Sequence, residues 1–249
     1  MTFHDHFSPV AAAYAASRPR YPGELFDWLA SLTHRHALAW DAGCGSGQAS
    51  VALAAHYDQV IATDASAAQL ANAERRPNVT YRIAAESDEL IAEGSVDLVT
   101  VAQAVHWFDR TRFWREVQRA LAPGGVLAVW AYGLARISPA IDAMVLPWYR
   151  DLLGPYWPPE RDHVESQYRD IGFPYATLAA PAFAMTAQWD RRQFTDYLRT
   201  WSAVKEYRRL QRADALESLM PQLEAVWPGD DVRRVEWPLT ILAGRRTAA

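Results

Sequence analysis

Between Asp41 and Gln48 the chain reads DAGCGSGQ, with Gly43, Gly45 and Gly47 at alternate positions. Glycine's freedom at positive φ lets such a turn bring successive backbone N–H groups close to a ligand, and a helix starting behind it adds a favourable field. Downstream, VIATD ends in Asp64, followed by Ala65, and YRIAAE ends in Ala85 and Glu86. A carboxylate at Asp64 can accept from both hydroxyls of a ribose. Glu86 is within reach of an adenine or ribose edge, and Asp41 could hold a cationic or amino-acid part of the ligand. The set describes a nucleotide-type cofactor site. No Gly-Lys-Ser/Thr follows the glycines, which excludes a P-loop. The dinucleotide fingerprint GxGxxG, read from Gly43, requires a glycine where Gln48 stands.

His106 follows the apolar run VDLVTVA at 96–102 and so falls at the edge where ligands of an open parallel sheet bind. It could orient a substrate oxygen or act as a general base; alternatively it bonds loop backbone and shapes a pocket beside Trp107. His4-Asp5-His6 and His34-Arg35-His36 have alternate spacing, but one lies in a terminal arm and the other before the first strand, so no metal is expected. The single cysteine, Cys44, reads as a small buried residue of the turn. Trp148, Tyr149, Tyr156 and Trp157 could line a site for a hydrophobic or planar substrate, or simply pack. Tyr132, Arg136, Tyr149 and Arg208 offer hydroxyls and cations to an acceptor, with nothing in the sequence to rank them. Near the start, Tyr14 and Arg18 could fold over a cofactor and meet a carboxylate, or belong to a solvated arm.

The elements needed to position these groups alternate along the chain. Leu25, Trp28, Leu29 and Leu32 make a helical stripe over 23–33. The pattern then predicts strands at 37–41, 59–63, 79–84, 96–102 and 126–131, with helices at 10–16, 48–55, 65–75 and 111–121. Ser66 is the expected cap of the 65–75 helix. Pro123-Gly124-Gly125 is expected to stop the helix before the fifth strand. Alternation of this kind means an α/β domain with a parallel sheet and helices on both faces. Beyond Tyr132 the pattern weakens. A helix over 139–153 interrupted at Pro147, an irregular 154–159, helices at 161–171, 191–200 and 213–226, and strands at 182–186 and 235–243 are expected. Pro238 in the last strand belongs at a bulge or an unpaired position. Residues 133–180 read as a helical or irregular cap inserted into one domain, between a cofactor half (37–132) and a closing part (181–249).

Composition narrows the partners. A length of 249 residues with a net charge of −4 gives no reason to expect nucleic acid or an anionic membrane. There is no long apolar run of membrane-span length and no leader of signal type, so a cytoplasmic location and a small-molecule substrate are expected.

DAGCGSGQ, Asp64, Ala85-Glu86, SVDLVTVAQAVHWFD and LAPGGVLAVW together resemble the motifs of class I S-adenosylmethionine-dependent methyltransferases, in the small-molecule group that includes trans-aconitate methyltransferase-like proteins. The resemblance implies that the Gly43–Gly45–Gly47 loop wraps the methionine and ribose portion, that Asp64 binds the ribose hydroxyls, and that Ala85 and Glu86 flank the adenine. It places Gln103 by the methionine part and Trp107 by the adenine. YAASRPRYP matches the segment that closes over the cofactor, with Tyr14 and Arg18 approaching its carboxylate. The implied fold is a seven-stranded, mostly parallel sheet whose last strand is antiparallel beside the fifth. The implied reaction is methyl transfer to a small molecule, on a carboxylate or hydroxyl oxygen. Two rivals remain at this point: an NAD-linked oxidoreductase, disfavoured by Gln48, and a regulatory protein that binds the cofactor without turnover.

Overall fold

The computed structural model describes residues 19–247. The expected leader helix over 10–16, with Tyr14 and Arg18, lies outside them. Helix α1 (Gly23–Ser31) precedes β1 (Leu38–Ala42), α2 (Gln48–Leu53), β2 (Gln59–Asp64), α3 (Ala67–Ala71), β3 (Val79–Ile83), β4 (Val96–Ala102), α4 (Arg110–Ala120) and β5 (Leu121–Tyr132). Then follow α5 (Pro139–Pro147), α6 (Arg161–Glu165), β6 (Ala184–Trp189), α7 (Arg191–Arg199), α8 (Ser202–Gln211), α9 (Met220–Val226) and β7 (Arg233–Arg245). The sheet order is β3-β2-β1-β4-β5-β7-β6. The first five strands pair in parallel, and β7 runs antiparallel to both β5 and β6. This is the expected seven-stranded architecture. No helix among the described residues is long and apolar enough to cross a membrane.

Alternation along each strand divides the core between the two faces. Ala39, Leu98, Ala128 and Trp130 pack with Leu25, Phe26 and Leu29 of α1 and Leu53 of α2. Their neighbours Trp40, Val99, Leu127 and Val129 pack with Phe113 and Val117 of α4. Because helices cover both faces, β4 is buried for six of its seven residues, and its sequence is correspondingly apolar almost throughout. A third cluster joins Ile141 and Val145 of α5 to Phe194 and Leu198 of α7, Val204 of α8, and Val235 and Trp237 of β7.

Several boundaries differ from the sequence pattern, each for a local reason. The Pro123-Gly124-Gly125 turn lies inside β5, because Gly124 N–H donates to the Arg246 carbonyl (3.1 Å) and Arg246 N–H to that of Gly125 (2.8 Å). Its extra residues are absorbed by a register shift between Val96 and Leu98. The 65–75 helix shrinks to α3, although Ser66 caps it as expected, accepting from Gln69 N–H. After Pro147 the chain continues as a π-helical turn, Trp148–Leu152, closed by Leu153 N–H on the Trp148 carbonyl at 3.1 Å. The helix expected over 161–171 ends at Glu165, and Gln167 (φ 58°) and Tyr168 (φ 59°) turn left-handed. Helix α8, which the pattern does not predict, starts just after the buried Trp201.

Pro238 sits where β7 changes partners. Residues Leu239 to Arg245 pair with β5, and residues Arg233 to Pro238 with β6. Glu236 exchanges both backbone bonds with Arg136. By alternation the missing N–H of Pro238 faces the same edge, in the gap where the chain leaves β5. The end of the 133–180 stretch runs back along the sheet, with Thr177 bridged to Gly244.

Candidate functional site

Parallel pairing brings the C-terminal ends of β1, β2, β3 and β4 to one edge, and there the chain places Gly43, Asp64, Ala85 and Gln103. The loop after β1 carries φ of 66°, 55° and 81° at Gly43, Gly45 and Gly47. A Cβ at Gly43 would stand 2.7 Å from Ala104 Cβ, and one at Gly47 2.3 Å from the Tyr81 hydroxyl. A Cβ at Gly45 would meet nothing within 4 Å. The first and third glycines are therefore needed for internal packing, while the middle one faces open space.

Asp64 fastens this loop. One carboxylate oxygen accepts from Gly45 N–H and the other from Ser66 N–H, both at 2.8 Å. Ala65 lies between them, half-buried, at the head of the capped α3. Gln48 donates from its side-chain amide to the Pro19 carbonyl (3.2 Å), which ties the segment before α1 to the loop.

Asp41, expected to hold part of a ligand directly, is 0% exposed. Its two oxygens are engaged by the Ser50 hydroxyl (2.6 Å) and the Thr100 hydroxyl (2.9 Å), so it cross-links α2, β1 and β4 beneath the loop. Burial raises its pKa from 3.8 to about 6, against the opposing pull of those two hydroxyl bonds. A carboxyl group whose folded pKa lies above its unfolded value stabilises the fold while protonated, and that contribution is lost as pH rises from about 4 through about 6. The loss amounts to about 3 kcal/mol at most. Asp41→Asn keeps the shape without the charge. Thermal melts between pH 4 and 8 are expected to show the variant gaining on the wild type across that window, then holding a constant difference above it.

Glu86 is tied to α4 through an ion pair with Arg112 (3.3 Å), and Arg112 also donates to the Ser87 hydroxyl (2.8 Å). Ala85 beside it is exposed. Gln103 adopts φ 55°, and its side-chain amide brackets the backbone of Tyr132, accepting from its N–H (2.8 Å) and donating to its carbonyl (3.1 Å). The amide thus extends the β4–β5 ladder by one rung and fixes the loop that begins there.

That loop turns at once into the 3-10 turn Val105–Trp107. His106 is 6% exposed, and its Nδ1 shares a 2.9 Å hydrogen bond with the Tyr168 hydroxyl. Burial, reinforced by the charges of Arg161, His163 and Arg110, lowers its pKa to about 3. The imidazole is therefore neutral at physiological pH. Trp107 packs against it with ring centroids 5.0 Å apart. Cys44 is buried as expected, and burial raises its thiol pKa well above the usual range.

The structure ranks the cations that the sequence left unranked. Arg136 and Arg208 are exposed. Arg161, which the sequence analysis does not single out, lies over Trp157 at 5.1 Å and donates from Nε to the Tyr149 hydroxyl at 3.0 Å. Tyr168, equally unanticipated, is brought inward by its left-handed backbone. The preceding turn is held by Ser166 and His163 side chains bonded to Asp170 at 2.8 and 2.9 Å.

Comparison with known proteins places this arrangement. A family model described as a methyltransferase domain matches residues 40–129. A Dictyostelium discoideum protein carried under a methyltransferase name is 34% identical over 225 residues, covering 89% of this chain and 86% of that protein. A solved structure from Anaeromyxobacter dehalogenans, described as a type II methyltransferase, superposes with a TM-score of 0.87 at 45% identity, over 93% of this chain and 99% of that one. The Saccharomyces cerevisiae protein CRG1, named for S-adenosylmethionine-dependent methyl transfer, is 24% identical across 91% of this chain and 92% of its own. With a fold, a glycine loop and relatives that agree along nearly the whole length, the chain belongs to the class I S-adenosylmethionine-dependent methyltransferases.

Proposed function

We propose that this enzyme methylates an oxygen of a small-molecule acid, with S-adenosylmethionine held at the Gly43–Gly47 loop. The cradle fits that donor. Gly45 leaves room for a ligand against the backbone, and Asp64 is already fixed by Gly45 and Ser66. A carboxylate oxygen accepts from more than one direction, so Asp64 can take ribose hydroxyls while it holds the loop. Ala85 and Glu86 would flank the adenine, Gln103 and Trp107 would border the methionine and adenine parts, and Tyr14 and Arg18 would close over them. The donor supplies a methyl group on a positively charged sulfur, so the protein's work is to orient the acceptor oxygen and exclude water.

The observation that carries the acceptor class is the enclosure of His106, 6% exposed with Nδ1 bonded to the Tyr168 hydroxyl, which pushes its pKa down to about 3. An imidazole held neutral by burial is a poor proton acceptor for an alcohol or phenol at neutral pH. An acceptor that arrives already ionised needs no base, and carboxylates do. In this reading His106 and Tyr168 orient the acceptor rather than deprotonate it.

Calorimetry should show S-adenosylmethionine binding and NAD not binding. Product analysis against a panel of carboxylic acids and phenols should then show ester formation from the acids; methylation of phenols alone would contradict the carboxylate assignment. His106→Gln is expected to lower kcat/KM by no more than about tenfold, short of the usual general-base contribution, and to leave its pH profile flat between 6 and 9. A new titrating limb, or a loss of several orders of magnitude, would restore the base.

A further inference from the structure

We infer that Arg161 is the residue that reads the acceptor, presenting its two terminal nitrogens to a carboxylate. The inference rests on the acid-methylating assignment above and adds to it the recognising group.

A guanidinium carries five N–H donors. In Arg161 only Nε is used, donating to the Tyr149 hydroxyl (3.0 Å) and to Glu165 (3.2 Å). Among the described residues Nη1 and Nη2 make no hydrogen bond, although the side chain is only 18% exposed. Neither terminal nitrogen is sealed from solvent, so both are open to a ligand, and the paired Nη groups have the spacing that a carboxylate fills with two parallel bonds.

The fork is held before any ligand arrives. Arg161 lies over the rings of Tyr149 (5.8 Å) and Trp157 (5.1 Å), and Glu165 also accepts from the Tyr149 hydroxyl at 2.5 Å. A group fixed in this way loses little freedom on binding. Its place is appropriate too. Arg161 begins α6, which packs on the turn Val105–Trp107, and its charge is felt at both His106 and Tyr168. Around it Trp157, Tyr149 and Trp201 stand with ring centroids 5.1 to 5.7 Å apart, an apolar wall for the body of the acid.

The charge balance selects a carboxylate over a phosphate. Glu165 already offsets part of the guanidinium charge and repels any bound anion, and that repulsion is twice as large for a dianion such as a phosphate monoester as for a monocarboxylate.

The test is calorimetric titration in the presence of S-adenosylhomocysteine, using 3-phenylpropanoate and its neutral amide, 3-phenylpropanamide. The wild type is expected to bind the acid at least tenfold more tightly than the amide. Arg161→Gln should bring the acid down to the affinity of the amide while S-adenosylhomocysteine binds as before. Glu165→Gln keeps the acceptor for Tyr149 and removes a negative charge, so acid affinity should rise severalfold, a gain that a folding defect does not produce. A wild type that binds both probes alike or binds neither, an Arg161→Gln protein that keeps its preference, or a Glu165→Gln protein with weakened acid binding each overturns the inference. Acid preference lost with Arg161 but unaccompanied by ester formation would support this subsite and defeat the proposed reaction instead.

Discussion

Gly43→Ala is expected to lower the stability of the enzyme by about 3 kcal/mol, a fall of roughly 6–12 °C in Tm. Two costs add. The residue must hold φ 66°, which an L side chain adopts poorly, and its Cβ would lie 2.7 Å from Ala104 Cβ and 2.9 Å from the Phe108 ring. Ala104 has no rotamer through which to escape, and Phe108 is packed on Phe113 at 5.0 Å. Gly47→Ala should be milder, because the obstructing atom is the far end of Tyr81. That ring can swing away at the expense of its 2.7 Å bond to the Glu74 carbonyl. Gly45→Ala separates clash from binding: it shares the left-handed strain at φ 55°, about 1–2 kcal/mol, but with nothing within 4 Å of its Cβ it adds no clash, and it places a methyl group in the space assigned to the donor. Melting curves of the three variants, read beside their S-adenosylhomocysteine affinities, check the order. Equal melting temperatures for Gly43→Ala and Gly45→Ala would contradict it.

The second large effect is expected at Asp64. Asp64→Ala should weaken S-adenosylmethionine by about 100-fold or more, because the variant loses the proposed ribose acceptor and also frees the loop. Each of the two backbone bonds, at 2.8 Å, joins an N–H to an ionised oxygen, a class contributing about 1.5–3 kcal/mol. Asp64→Asn should recover little of this. The two oxygens serve opposite amides, Gly45 on one side and Ser66 on the other, so an asparagine must turn its own NH2 toward one of two donors. Isothermal titration of both variants would test this, and near-wild-type affinity in Asp64→Asn would show that the loop is held by other means.

The sequence pattern reached the nucleotide half because that half obeys local rules. The apolar run of β4, the Ser66 cap and the glycine loop each declare themselves within a few residues. The side proposed for the acceptor does not. Its Tyr168 depends on two successive left-handed residues, stabilised by side-chain bonds from Ser166 and His163 that compete with the helix the periodicity suggests over 161–171. Arg161 is one arginine among many in composition, and only the meeting of α6 with Tyr149 and Trp157 distinguishes it. Asp41 is the opposite case: its position beside the glycines suggests contact with the ligand, and to this the structure adds the hydroxyls of Ser50 in α2 and of Thr100, remote in sequence in β4, which enclose it.

The interior position of β7 has a consequence for how the molecule is made. The whole glycine loop and its five parallel strands are encoded before Tyr132, but the strand that covers the free edge of β5 is not synthesised until residues 233–245. Until those residues emerge, β5 offers an open ladder, and β6 lacks the neighbour with which it pairs in the finished sheet. Open strand edges invite pairing with other chains. A ribosome-bound nascent chain of this protein is thus a natural client for chaperones until β7 emerges and seals the sheet.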